Sequence, residues 1–163
     1  MNLEDEKLLK ATKEGNLDEV KLLLNQVKNK NINCREQLNN RTPLMIAIVN
    51  GFDEIAQYLI LNKAGLFLRD KSDSNVLMLA SIFGRTKVVE MLIAARVNVN
   101  SRDGYGNTSL ILASSWGQFD VVKLLLNNGA NPSFVNLLNN TALRSAELNG
   151  HFQIVELLQS FLL

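Results

Sequence analysis

Apolar residues along this chain fall into short runs with the periodicity of helices. Between residues 106 and 132, one run covers positions 110–113 and a second covers positions 121–126. Apolar residues three and four positions apart mark a helix face that has to be buried. Gly117 and Gly129 follow the two runs, and a glycine in this place ends a helix by taking the left-handed conformation. The stretch therefore predicts two short helices, which are too small to enclose a core without neighbours.

The same pattern recurs along the chain at a fixed interval. The glycine after the first helix returns every thirty-three residues, with an alanine four positions and a leucine seven positions before it. These glycines are Gly51, Gly84, Gly117 and Gly150. A further copy, with Leu8, Ala11 and Gly15, lies three residues beyond the interval. Helix pairs repeated at this length predict a stacked solenoid, because each pair buries its apolar face against the next.

The motifs within each copy resemble those of ankyrin-repeat proteins over residues 3–163. The family's Thr-Pro-Leu-His helix opening appears as Thr-Pro-Leu-Met at 42–45, Asn-Val-Leu-Met at 75–78, Thr-Ser-Leu-Ile at 108–111 and Thr-Ala-Leu-Arg at 141–144. The family's Gly-Ala-Asp-x-Asn turn appears best at 129–133 and again at 97–100. Met or Ile replaces the family histidine three times and Arg replaces it once, while the apolar spacing is kept.

The resemblance implies an all-α ankyrin-repeat solenoid of stacked helix–turn–helix units with β-hairpin-like finger loops. Residues 1–163 are predicted to form a single domain, with an N-terminal capping repeat at 1–33, full repeats at 34–66, 67–99 and 100–132, and a C-terminal capping repeat at 133–163. The chain ends in Phe161, Leu162 and Leu163, for which three interpretations are open. These residues fold back over the last helix pair, contact another chain, or precede a further repeat.

Composition narrows the class of protein. The formal net charge is +1 and the finger segments mix basic with acidic residues, so binding to nucleic acid is not expected. No apolar run is long enough to span a membrane, and the N-terminus lacks the basic start and apolar run of a secretory signal. The lone Cys34 excludes an internal disulfide. These features predict a cytoplasmic protein, with export by a signal-independent route left open.

The chain offers no set of residues for catalysis or metal binding. Cys34 and His151 are its one cysteine and one histidine; they belong to different repeats, whereas a nucleophilic pair requires hydrogen-bond contact. His151 follows Gly150 and is predicted to lie in a surface turn. Residues 104–106 form a lone Gly-x-Gly without the strand, helix and third glycine of a dinucleotide site. We therefore expect no enzyme activity, no catalytic or metal-binding residue and no cofactor.

The resemblance also locates a surface for a partner. In ankyrin-repeat proteins, the two residues before each repeat glycine face the concave side of the stack. The position directly before the glycine holds Asn50, Phe83, Trp116 and Asn149. Aromatic residues carry much of the binding energy at protein interfaces. We predict that Phe83, Trp116 and the finger residue Tyr105 form the centre of a protein-binding face, surrounded by Asn50, Ile82, Asn107, Leu138 and Asn149.

The predicted function is non-catalytic protein–protein interaction, as a monomeric scaffold for one or more partner proteins. A competing interpretation of the aromatic rings is packing between adjacent repeats, and for Leu137 and Leu138 it is packing against the neighbouring finger. Two other functions stay open: a dedicated inhibitor or immunity-type partner of a single enzyme or effector, and self-assembly through Phe161, Leu162 and Leu163. A tight one-to-one complex would indicate the first, and a concentration-dependent size the second.

Overall fold

The computed structural model describes residues 2–26 and 31–162, except for the side chains of Gln26 and Leu162. Leu163, one of the residues predicted for self-association, therefore lies outside the described residues, as does the side chain of Leu162. The described part of the chain contains ten helices and one isolated β-bridge, between Arg69 and Asn75. The helices are α1 (Leu3–Lys13), α2 (Leu17–Gln26), α3 (Pro43–Asn50), α4 (Asp53–Leu61), α5 (Val76–Ile82), α6 (Thr86–Ala94), α7 (Ser109–Ser115), α8 (Phe119–Asn127), α9 (Ala142–Leu148) and α10 (Phe152–Leu162).

The helices belong to two compact units, the first ending at Val76 and the second beginning at Leu77. In the first unit, α1 packs against α2 and α3, and α4 packs against the same two helices. In the second unit, α7 packs against α8 and α9, and α10 packs against those same two helices. Odd-numbered helices are called inner helices below, and even-numbered helices are called outer helices. Within each unit the helix pairs lie side by side, as the sequence interval predicts.

A threonine begins the inner helix of three repeats. Its side-chain oxygen accepts a hydrogen bond from the backbone N–H three residues on, which satisfies one of the free donors at the helix start. Pro43 then occupies the first turn of α3, where its missing N–H costs nothing. The three bonds join Thr42 to Met45 (3.4 Å), Thr108 to Ile111 (3.3 Å) and Thr141 to Arg144 (3.1 Å).

The core of each unit is built from the repeated leucine and alanine positions. The side chains at these positions in α3, α5 and α7 are fully buried: Leu44, Ala47, Leu77, Ala80, Leu110 and Ala113. Met45, Met78 and Ile111, which replace the family histidine, are buried with them. Apolar burial contributes about 25 cal/mol per Å² removed from water. The histidine position of the family is therefore a core position in this chain.

Some helix ends use the left-handed backbone conformation without glycine. Lys63 and Arg96 have φ values of 65° and 59°, at the place where Gly129 has a φ of 82° in the fourth repeat. A side chain with a Cβ in this conformation costs roughly 1–2 kcal/mol. The third repeat, which departs most from the pattern, thus keeps the same turn geometry as its neighbours.

The predicted all-α fold of helix–turn–helix repeats is confirmed, including its finger loops. Each finger closes by a backbone hydrogen bond across its turn, as between Asp103 N and Asn107 O (3.0 Å) and between Asn136 N and Asn140 O (3.1 Å). Among the described residues these hairpin-like turns form no extended strand. The fingers are therefore short connections that stand between the helix pairs of successive repeats.

The C-terminal residues continue the last helix. Phe161 lies within α10, and 45% of its surface is exposed. The interpretation that these residues fold back over the last helix pair is wrong for Phe161, because the helical hydrogen-bond pattern continues past it. A polar surface is found on α9, where Arg144 Nη1 lies 3.3 Å from Glu147 Oε2.

Candidate functional site

Most of the predicted partner surface belongs to the second unit. Four of its residues lie at or just after the ends of inner helices, directly before a repeat glycine or one position earlier. Three others lie on the fingers, and the seven residues of the second unit are Ile82, Phe83, Tyr105, Asn107, Trp116, Leu138 and Asn149. Asn50 ends α3 in the first unit and is described separately below. We call the seven residues of the second unit the anchor face.

The aromatic residues of the anchor face are exposed. The exposed fraction is 38% for Phe83, 65% for Tyr105 and 62% for Trp116. Phe83 and Trp116 each donate their backbone N–H to the last turn of the inner helix, to Leu79 O and Leu112 O, both at 3.1 Å. Because the helix ends hold their backbones, these rings are presented on a fixed support rather than on a mobile loop.

The finger tips are held in place by their own side chains. Asp103 Oδ1 accepts the backbone N–H of Tyr105 (2.9 Å) and of Asn107 (2.8 Å). Asn136 lies thirty-three residues later, and its Oδ1 accepts the N–H of Leu138 and of Asn140, both at 3.0 Å. Asp and Asn are common in turns because their short side chains make such bonds. This fixed geometry presents Tyr105 and Leu138, which is 79% exposed, at the tips.

Adjacent fingers of the second unit are joined to each other. Leu137 N donates to Tyr105 O (2.9 Å), and Asn136 Nδ2 donates to Asn107 Oδ1 (2.8 Å). The Arg102 guanidinium donates to Val135 O, and its Cζ lies 5.8 Å from the ring centroid of Phe134. The Asn107 amide nitrogen donates in addition to Asp103 Oδ2 (3.1 Å). Both ends of the Asn107 amide are therefore bonded within the fingers, so this residue supports the anchor face.

Side chains from the next repeat hold the backbone beside Phe83 and Trp116. Gln118 Nε2 donates to Ile82 O (3.1 Å), and His151 Nε2 lies 3.1 Å from Ser115 O. Since a carbonyl oxygen only accepts, His151 Nε2 carries the proton. Asn149 Nδ2 donates to Ser145 O (2.8 Å) and to Ser115 Oγ (3.3 Å). Asn149 is thereby tied to the residue that precedes Trp116.

His151 has a structural role that the sequence did not predict. A surface turn was expected, but the ring is partly buried and lies against Gly117, where a Cβ atom would come within 2.7 Å of His151 Cε1. Gln118 lies in the same way against Gly84. Gln118 and His151 are thirty-three residues apart, and this spacing is the signal that could have identified them as equivalent supports.

The anchor face carries little unpaired charge. The inner helices α5 and α7 have the sequences VLMLASI and SLILASS, without a charged residue. Nearby charges are engaged internally: Arg102 bonds to backbone oxygens, Asp103 accepts backbone N–H groups, and Arg144 pairs with Glu147. The surface is therefore apolar, with hydroxyl and amide groups as its polar component.

The first unit presents a different environment around Asn50. This residue is exposed beside an open groove of about 350 Å³, whose walls include Leu38 and Ile46. Lys13 Nζ lies 3.8 Å from Glu36 Oε2 in the same groove. The surroundings of Asn50 are thus charged, in contrast with the inner helices of the second unit.

The single cysteine is unsuited to nucleophilic chemistry. Cys34 is buried, and burial together with the nearby charge of Asp5 raises the pKa of its thiol to about 12. The reactive thiolate is therefore scarce at neutral pH. Within residues 2–26 and 31–162, no group of three or more His, Cys, Asp or Glu side chains could hold a metal ion.

None of the helices in the described part of the chain has both the length and the apolar character that crossing a bilayer requires.

Paired helices, threonine caps and joined fingers define a protein built from short α-helical repeats. A family model described as ankyrin repeats (3 copies) matches residues 4–70 and 77–161, and the chain therefore belongs to the ankyrin-repeat family. The interruption of the match falls in the third repeat, where Asn75 replaces the capping threonine. A comparison with curated proteins finds no match. Ankyrin repeats are in general protein–protein interaction modules, and proteins made of them are typically non-catalytic.

Proposed function

We propose that this protein is a non-catalytic binding module that engages a partner protein through its anchor face. The main observation that supports this proposal is the exposure of Phe83, Tyr105 and Trp116, which come from two successive repeats. Hydrogen bonds hold in place the helix ends and the finger that present these residues. Ile82, Asn107, Leu138 and Asn149 complete the face in the second unit. Asn50 is a separate candidate contact, beside the charged groove of the first unit.

The physical case rests on exposed apolar surface that is already ordered. Trp and Tyr are enriched among the interface residues whose truncation costs about 2 kcal/mol or more. Binding is weakened when loops and side chains have to be ordered at the interface. Here Trp116 follows a helix end and Tyr105 lies on a finger bonded to its neighbour, so little ordering remains to be done.

We place this activity in the cytoplasm and assign it to a monomer. A buried free thiol at Cys34 suits a compartment in which cysteines stay reduced. A partner bound in a tight one-to-one complex would identify the protein as a dedicated inhibitor, whereas several weaker partners would identify an adaptor.

Affinity capture with matched variants tests the proposal. The tagged full chain, the Phe83→Ala/Trp116→Ala variant and a Phe152→Ala control are incubated with a native lysate of the source organism. Phe152 is a fair control because it lies in the same unit, is 73% exposed and is outside the anchor face. We expect the wild type and the control to capture the same protein, and the double variant to lose at least about ten-fold, or 1.4 kcal/mol. Equal capture by all three proteins would refute the proposal.

A further inference from the structure

Resting on the proposed function, we infer that the partner contacts the anchor face with an apolar, uncharged segment of polypeptide. The inference concerns the chemistry of the partner at Phe83, Tyr105 and Trp116. It follows from how few charged groups the anchor face offers to neutralise a charge on the partner.

The inner helices provide the first reason. About a fifth of all residues in the chain are charged (20%), yet α5 and α7 contain none. The exposed residues at the ends of these helices, Phe83 and Trp116, are aromatic. A partner side chain that contacts either ring therefore meets an inner helix without a charged residue beside it.

The charges at the edge of the face provide the second reason. Arg102 donates to Gly106 O (3.0 Å) and to Val135 O, and Asp103 accepts two backbone N–H groups of its own finger. Arg144 and Glu147 are paired with each other. Burial without a counter-charge is unfavourable for a charged group, because the group loses its hydration, whereas an apolar group gains from burial. The anchor face thus favours apolar side chains and disfavours ionised ones.

Two polar atoms set a further condition on the partner. Neither the indole N–H of Trp116 nor the hydroxyl of Tyr105 bonds to a described residue. Tyr and Trp usually find a hydrogen-bond partner when they become buried. A neutral acceptor, such as a backbone carbonyl of the bound segment, meets this need without introducing charge.

The groove of the first unit supplies a contrast. There the side chains of Lys13, Glu36 and Arg41 form part of the wall, with Lys13 Nζ 3.8 Å from Glu36 Oε2. Charged side chains thus line this groove, whereas the inner helices α5 and α7 carry none.

A peptide selection tests the inference without a known partner. A phage-displayed library of random dodecapeptides is selected on the immobilised full chain, and every enriched clone is measured again on Phe83→Ala/Trp116→Ala, on Trp116→Ala alone and on Phe152→Ala. We expect clones that bind the wild type and Phe152→Ala equally and the double variant at least about ten-fold more weakly. Their shared core should contain aliphatic and aromatic residues and lack Asp, Glu, Lys and Arg.

The possible results separate the inference from the proposed function. Clones that depend on Phe83 and Trp116 but share a charged core would overturn the inference and leave the proposed function standing. A selection in which no clone depends on these residues would overturn both. Circular dichroism of each variant checks the fold, and Trp116→Ala alone keeps the comparison valid if the double variant unfolds.

Salt dependence gives an independent measure of the same chemistry. A synthetic peptide from the dependent clones is titrated at about 0.05 M and about 0.5 M NaCl, a range over which the Debye length falls several-fold. We expect the dissociation constant to change by less than about two-fold, because no ion pair forms at the anchors. A loss of ten-fold or more at high salt would overturn the inference.

Discussion

At the scale of single residues, His151 holds the backbone of the preceding repeat. Its Nε2 donates to Ser115 O, and its ring covers Gly117, which has a φ of +71°. Gly150 has nearly the same conformation, with a φ of +73°, but a Cβ there would meet nothing within 4 Å. A comparison of alanine substitutions at these two glycines therefore separates the free-energy cost of a left-handed backbone from the cost of displacing His151.

Substituting the two glycines by alanine tests the role of His151. Gly150→Ala should lower the free energy of unfolding by roughly 1–2 kcal/mol because of its backbone conformation. Gly117→Ala should lower it by a further 1–3 kcal/mol or so, since the new Cβ pushes against the imidazole ring. Urea unfolding followed by circular dichroism measures both values. Equal losses of unfolding free energy at the two positions would show that the imidazole ring moves aside without cost. In a His151→Ala background, most of the difference between the two glycine substitutions should disappear.

The thiol of Cys34 makes stability depend on alkaline pH. Burial raises its pKa from 9.0 to about 12, so between these values the folded chain keeps a proton that the unfolded chain releases. The contribution is therefore complete below pH 9.0 and is lost as the pH rises towards 12, by up to about 1.4 kcal/mol per pH unit.

The difference in unfolding free energy between the wild type and Cys34→Ala isolates this contribution from lysines and tyrosines that titrate in the same range. We expect the difference to be constant from pH 6 to about 8 and to shift against the wild type above about pH 9. A difference that stays flat to about pH 11 would contradict the prediction. Thiol labelling should likewise be slow in the folded chain and fast in urea.

At the scale of elements, each finger of the second unit is ordered by one Asp or Asn side chain and tied to the other finger. Asn136 does both, because its Oδ1 accepts two N–H groups of its own finger while its Nδ2 donates to Asn107. Asp103 holds the equivalent place in the preceding finger, so an aspartate fits this turn.

Asn136→Ala should loosen the finger and leave the helices intact. We expect amide hydrogen exchange at Leu138 and Asn140 to become at least about ten-fold faster, while the amides of α7 and α9 keep their protection. Asn136→Asp should restore protection at both amides, because it keeps the acceptor and loses only the donor. Faster exchange throughout the second unit would show instead that the finger is part of its cooperative core.

At the scale of the whole molecule, the exposed side of α9 determines whether another apolar surface can pack against the second unit. Arg144 and Glu147 occupy the places that Ile111 and Ser114 hold in α7, where both side chains are buried. Since α7 lies against α9, these positions in α7 are covered, whereas the paired charges on α9 are exposed. Burying such a pair costs several kcal/mol, so it opposes self-association at this face.

Transferring the residues of α7 to α9 should remove this obstacle. We expect wild-type protein to sediment as a monomer and Arg144→Ile/Glu147→Ser to associate as its concentration rises. Arg144→Glu/Glu147→Arg keeps a pair of opposite charges and should stay monomeric. Analytical ultracentrifugation distinguishes these outcomes. Association of the wild type that Phe161→Asp abolishes would instead support assembly through the C-terminal helix.

Much of the fold could be predicted because each copy of the motif contains the residues that begin, end and bury its own helices. The two helices predicted from the apolar runs at 110–113 and 121–126 are α7 and α8, because apolar residues three and four positions apart form one face of a helix. Phe83 and Trp116 were selected from sequence because they directly precede a repeat glycine, and both side chains are exposed. The roles of Asn107 and His151 were not predicted, since both bond to residues in other repeats.

The sequence by itself determined the interval, the helices, their threonine caps and the apolar core, because these depend on residues within one repeat. Only the tertiary structure decided which polar side chains join neighbouring repeats, and that Phe161 continues a helix while Arg144 and Glu147 form a polar surface. The physical reason is that each of these outcomes depends on what a side chain meets in the adjacent repeat. A given type of residue stays exposed on the surface or bonds to the adjacent repeat, depending on which residue it meets there.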